Sequence, residues 1–150
     1  MQERMFLMVI KRLALVPLLG SVLTLSACGG SSTEEIEDYD QFKETINADD
    51  FTGFAMYIYS PDVDEAKDNV FQAFENTSAT LTYTNGWEYD QATKDRANDD
   101  SRDRDLIHPS DDVVYVEDGE VLEEFEVDED DIKREEYEGE LQSFVEKYAE

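Results

Sequence analysis

Cysteine occurs once in this chain, at position 28, so neither an internal disulfide nor a four-thiolate metal site can form. Histidine also occurs once, as His108, which confines any imidazole chemistry to that residue. Positive charge is scarce. The 150 residues carry 12 Lys+Arg against 39 Asp+Glu, a formal charge of −27. Phosphate backbones are repelled by such a chain, which excludes nucleic acid as a partner. Three prolines and seven glycines are too few for a collagenous or low-complexity chain. What is present is 40% hydrophobic residues, enough for one small core and not for two.

The first thirty residues read as an address. Arg4, Lys11 and Arg12 stand against a single acid, Glu3, and an apolar run follows from Leu13 to Ala27. That run is shorter than the roughly 20 residues a helix needs to span a bilayer. A basic start, a short apolar stretch and small residues at its end predict a secretory signal peptide over residues 1–27. Met8-Val9-Ile10-Lys11-Arg12 is a more usual opening for such a leader, which makes Met5 or Met8 an alternative start. Leu25-Ser26-Ala27-Cys28 resembles a bacterial lipobox, in which the cysteine is acylated and becomes the new N-terminus. Residues 28–37, with Gly29-Gly30-Ser31-Ser32-Thr33 and several acids, then read as a flexible acidic tether. Each buried methylene contributes about 0.8 kcal/mol, so one acyl chain holds weakly and two hold firmly. A diacylated, palmitate-type Cys28 would keep the domain on the extracytoplasmic face of the cell membrane. Cleavage removes three of the 12 bases and one of the 39 acids, leaving −29 on 123 residues. Such a surface resists self-association, which predicts a monomer, and its internal repulsion is screened by salt.

Residues 38–150 read as one alternating α/β domain. Tyr39, Phe42 and Ile46 recur at helical spacing, predicting a helix over 38–47. Phe51 to Tyr59 is apolar and stops at Ser60-Pro61, as a buried strand would. A helix follows, with Asp62 as cap and Val63, Ala66, Val70, Phe71 and Phe74 as one stripe. Ala79 to Thr84 alternates like a second strand. Asn85-Gly86 fits a hairpin turn, but Gln91 to Asn98 looks helical, so a loop is expected there. Val113 to Val116, Asp118-Gly119, and Val121 to Phe125 read as a closing hairpin. The stretch from Asp128 to Glu138 reads as solvated. Leu141, Phe144, Val145 and Tyr148 mark a last helix. The order implies a central mixed four-stranded sheet with helices on both faces.

Three places resemble the thioredoxin family. Tyr57-Ile58-Tyr59-Ser60-Pro61 runs into a helix where redox members carry their CxxC. Ile107-His108-Pro109-Ser110 precedes a strand as the family's cis-proline loop does. Tyr115-Val116-Glu117-Asp118-Gly119-Glu120-Val121 is similar to its terminal hairpin. The chain is most similar to thioredoxin-like proteins of Gram-positive bacteria, including bacteriocin transport accessory proteins. Tyr83-Thr84-Asn85-Gly86-Trp87 resembles the aromatic stretch after their second strand. The resemblance implies a thioredoxin-like fold, a cis Pro109 in a loop with His108 and Ser110, and pairing of extended peptide with Ile107-His108-Pro109.

The same resemblance places Val63 and Ala66 where the two cysteines belong. Exchange needs one thiolate to attack and a second sulfur to resolve the mixed disulfide, and neither side chain does either. Other chemistry is weaker still. A serine triad would need His108 with Ser110 and Asp111, but sequence neighbours rarely take that arrangement, so His108 reads as a structural loop residue. Carboxylate pairs are too abundant to signal glycoside hydrolysis. Asp99, Ser101, Asp103 and Asp105 alternate like part of a calcium loop, but its turn glycine and final glutamate are missing. The acids from Asp128 to Asp131 offer weak cation association. Trp87 with Tyr83 and Tyr89 fits either a groove or core packing. No catalytic residue, metal or cofactor is therefore expected. The leading expectation is a lipid-anchored, redox-inactive module with a peptide or protein client. The alternatives are an enzyme related to thiol–disulfide oxidoreductases, or an acidic surface lipoprotein with a cation or envelope-stress role.

Overall fold

A computed structural model describes residues 32–75, 77–128, 130–132 and 134–149. The leader, the lipobox and Cys28 lie outside the described residues. Among those described, no helix is long and apolar enough to cross a membrane.

The chain begins with strand β1 (Thr33–Glu35) and helix α1 (Tyr39–Ile46). Asp38 caps α1, its carboxylate accepting the Gln41 N–H at 2.8 Å, which satisfies one of the helix's orphan donors. Strand β2 (Gly53–Ile58) is buried at every position after Gly53, as a central strand covered on both faces must be. Helix α2 (Pro61–Glu75) and strand β3 (Leu81–Asn85) follow. A single 3-10 turn (Gly86–Glu88) leads to helix α3 (Gln91–Asp100). The hairpin of β4 (Asp112–Glu117) and β5 (Glu120–Glu126) precedes helix α4 (Glu135–Tyr148). Its turn has φ of 50° at Asp118 and 76° at Gly119, the left-handed pair whose twist matches that of the strands.

The five strands lie in the order β1-β3-β2-β4-β5. Strands β1, β3 and β2 are mutually parallel, and β4 runs antiparallel to both β2 and β5. This order, with the reversed β4, is the thioredoxin-like arrangement. It has one strand more than the four expected. Strand β1 takes in residues 33–35 of the stretch read as tether, because Ser32 accepts from Leu81 N–H at 3.0 Å and Ile36 N–H donates to Tyr83 at 2.8 Å. A Thr-Glu-Glu segment has no apolar alternation, so backbone pairing recruits it, helped by the Tyr83 hydroxyl donating to Glu35 at 3.1 Å.

The period of two in each strand sends side chains to two cores. On one face Phe54, Met56 and Ile58 meet Val63, Val70 and Phe74 of α2 and Leu141, Phe144 and Val145 of α4. Phe54 is central there, its ring 5.3 Å from Phe74, 5.1 Å from Tyr115 and 5.7 Å from Phe144. On the other face Ala55, Tyr57, Val114 and Val116 meet Tyr39, Phe42 and Ile46 of α1 and Ala97 of α3. The stretch from Asp128 to Glu138, which runs into α4, is less solvated than its composition suggests. Ile132 and Tyr137 are both buried in the first core, two apolar anchors that pin the segment while Asp128, Asp130, Glu136 and Glu138 stay exposed.

Candidate functional site

Strand β2 ends at Ile58, and the chain turns into α2 through Tyr59 and Ser60. Ser60, rather than Asp62, caps the helix. Its hydroxyl accepts the Val63 N–H at 3.3 Å and its carbonyl accepts the Asp64 N–H at 3.1 Å. Pro61 then occupies the first helical position, where its missing N–H costs nothing. Val63 lies in the first turn, but its side chain is 1% exposed in the core under α2, and Ala66, one turn on, packs against the same core. The groups open at the helix entrance are Tyr59 and Pro61.

The loop before β4 is stitched to that entrance. Tyr57 N–H donates to Pro109 at 2.9 Å, and Asp111 N–H returns to the Tyr57 carbonyl at 2.8 Å. Asp111 adopts φ of 55°, a left-handed conformation that aspartate tolerates better than most residues. Its carboxylate accepts the N–H of Tyr59 at 2.7 Å and of Ser60 at 3.0 Å. No peptide bond among the described residues is cis, so the bond before Pro109 is trans, contrary to the family's pattern. Here Asp111 and the backbone bonds of Tyr57 hold the loop in place. Ile107 is also engaged: Asn47 accepts its N–H at 2.6 Å and donates to its carbonyl at 3.2 Å. The backbone groups that an added peptide strand would use at Ile107 are therefore already paired.

His108 Nδ1 lies 2.9 Å from Ser110 Oγ, and its ring centroid is 4.8 Å from that of Tyr57. Its Nε2 is buried with no hydrogen-bond partner among the described residues. Burial pushes the imidazole pKa below its usual value, against a weaker opposing pull from its own backbone and Asp100. A serine triad needs a carboxylate on the second ring nitrogen, and none is bonded there. Asp100 instead takes the Tyr39 hydroxyl at 2.8 Å and Lys43 at 2.9 Å.

Two hollows adjoin the helix entrance. One, of about 190 Å³, is lined by Tyr57, Tyr59, Asn98, Ser101, His108 and Ser110, with Ala97 at its base. The other, of about 320 Å³, lies at the carboxyl ends of β2 and β3, between Tyr59, Ser60 and Pro61 on one side and Gly86, Trp87, Gln91, Lys94 and Asp95 on the other. Asn98 and Tyr59 line both. The carboxyl ends of parallel strands, as β2 and β3 are here, are where α/β proteins characteristically bind ligands. Trp87 is 44% exposed and Tyr59 is 53% exposed, while Tyr83 is buried and Tyr89 packs against the second core. Gly86 lets these parts meet, because a Cβ there would fall 2.2 Å from the Tyr57 ring. Behind it, the buried Asn85 donates to Asp64 at 2.8 Å, and Asp64 pairs with Lys67 at 2.6 Å. The Lys67 hydrogen bond, opposed in part by burial, lowers the Asp64 pKa.

In this region sequence reasoning misses Asn47 and the bonds made by Asn85 and Asp111, the latter weighed only as a triad acid. Asn85 carries the one signal, its place in an Asn-Gly pair. The acids considered for cations do other work. Asp99 pairs with Arg102 at 2.9 Å, Asp128 accepts the Asp130 N–H at 2.8 Å, and no group of three His, Cys, Asp or Glu converges among the described residues.

No family model matches the chain, and no curated protein matches it. Among solved structures, a mutant thioredoxin from Halobacterium salinarum NRC-1 is similar to it, with 18% identity, a TM-score of 0.46, and coverage of 82% of this chain and 96% of that chain.

Proposed function

We propose that the chain is a redox-silent binding module, held on the extracytoplasmic face of the membrane by an acylated Cys28, that receives an extended peptide or protein client. One observation carries this reading. A cleft with two exposed aromatic rings sits at the carboxyl edge of a thioredoxin-like sheet, and its approach from Tyr59 to Ala66 contains no sulfur. Silence does not depend on which residues match the family's thiols, since the only cysteine of the whole chain is Cys28 and a dithiol cycle consumes two. The pairing of Ile107 with Asn47 moves recognition from backbone addition at that loop to side chains of the client, which Tyr59 and Trp87 can cover. The sequence resemblance to thioredoxin-like proteins of Gram-positive bacteria agrees with an accessory role.

Two measurements test it. The Cys28→Ser chain should show no turnover in an insulin-reduction assay with dithiothreitol, and measurable turnover overturns redox silence. In a bacterial host, labelled palmitate should enter the native chain and not the Cys28→Ser variant. Equal labelling of both sinks the anchor.

A further inference from the structure

Three of the four described lysines of this acidic molecule have carboxylate partners. Lys43 pairs with Asp100 at 2.9 Å, Lys67 with Asp64 at 2.6 Å, and Lys147 with Glu123. Lys94 is different. Among the described residues it has no carboxylate partner, and its ammonium lies 4.6 Å from the centroid of the Trp87 ring. Both residues line the 320 Å³ hollow, together with Tyr59 and Asp95. The Asp95 carboxylate is steadied by Gln91, which donates to it at 2.8 Å.

We infer that this hollow is an aromatic recess for an ammonium-bearing side chain of the client, and that Lys94 stands in for the client's cation. The inference rests on the reading of the cleft as a recognition surface and adds the class of group it takes. The electron-rich face of an indole attracts a cation placed over it, and the position of Lys94 marks where that cation sits. Among the described residues Lys94 has no ion pair, so its flexible stem can swing away when a second ammonium arrives. Tyr59, more than half exposed, offers a second ring. Asp95 supplies the countercharge, and the net charge of −27 draws cations toward the surface before they reach the recess.

Trp87 is the only tryptophan, so its fluorescence reports the recess directly. The Cys28→Ser chain is titrated with tetramethylammonium chloride, with Nα-acetyl-lysine N-methylamide and with sodium acetate. About 0.5 M NaCl is present throughout to screen the general field. Both cations should change the emission saturably and acetate should not. Lys94→Met vacates the ring and should tighten cation binding roughly fivefold, the equivalent of about 1 kcal/mol. Lys147→Met makes the same charge change on α4 and should leave the affinity unchanged. Tyr59→Leu should weaken binding, with far-UV circular dichroism verifying that each variant is folded. Weaker cation binding in Lys94→Met, or a saturable response to acetate, overturns the inference, because Lys94 would then be receiving an anion. Absence of any cation response in both proteins overturns it as well. If an extended peptide still shifts Trp87 in that case, the cleft survives as a binding surface and only its preference for ammonium fails.

Discussion

Asp111 holds the site together through three bonds made by one residue. Its N–H ties to Tyr57 and its carboxylate takes the N–H groups of Tyr59 and Ser60, so the loop before β4 and the entrance to α2 form one rigid body. Replacing it with alanine strands two backbone donors and keeps a left-handed φ that alanine resists. Leaving such donors unsatisfied costs about 1–3 kcal/mol. Asp111→Ala should therefore lower the urea midpoint and speed hydrogen exchange at Tyr59 and Ser60. Unchanged exchange there would show that the carboxylate is not what fixes the entrance. Little of this was visible in the order of the residues. Asp111 sits in an Asp-Asp pair with no motif around it, and Asn47 meets Ile107 across 60 positions, a contact that local spacing cannot reveal. The contact of His108 with Ser110 was legible because the two are close neighbours in a loop. The trans bond before Pro109 was not, since the resemblance implied the opposite.

At the scale of elements the hydrophobic period was a reliable guide wherever a segment buried one face or two. Tyr39, Phe42 and Ile46 mark α1, and the unbroken apolar run of β2 marks a central strand, because burial selected those residues directly. Strand β1 and the anchors Ile132 and Tyr137 escape the same test, being embedded in acids that face water. The pairing of β4 with β5 adds a feature that composition hides. Asp112 stands opposite Glu126 in the register. Burial first, and then the charges of Glu124, Glu126 and Asp111, push its carboxyl up to about 6 from the usual 3.8. The folded state thus binds a proton more readily than the unfolded chain between those two values. On this account Asp112 adds stability as pH falls through about 6 toward 3.8 and withdraws it as pH rises again. Asp112→Asn should raise the melting temperature at pH 7 and flatten the pH dependence across that window. A variant that melts lower at pH 7 would show the carboxylate to be favourably placed after all.

For the whole molecule, charge and the cleft govern behaviour. A chain of −27 repels itself, and the screening length falls from about 10 Å at 0.1 M salt to about 3 Å at 1 M. The melting temperature should rise with NaCl across that range by several degrees, and a flat response would mean that the acids are already neutralised by local pairing. Four of the five strands, the helices on both faces and the acidic balance of charge were legible in the sequence, and the position of the recess between Tyr59 and Trp87 was only half so. Trp87 stood out as a groove residue, but Tyr59 read as the end of a buried strand and is instead exposed beyond Ile58. Their meeting depends on a parallel crossover and on Gly86 yielding space to Tyr57. The central claim is that this scaffold recognises a client without sulfur. Nitrogen-15 NMR of the Cys28→Ser chain, which contains no thiol, tests it most directly when a lysine-containing extended peptide is added at about 0.5 M NaCl. The account expects saturable shifts at Tyr59, Gly86, the Trp87 indole N–H and Asn98. Shifts scattered over the acids of β5 and α4, or none once salt is present, would contradict it.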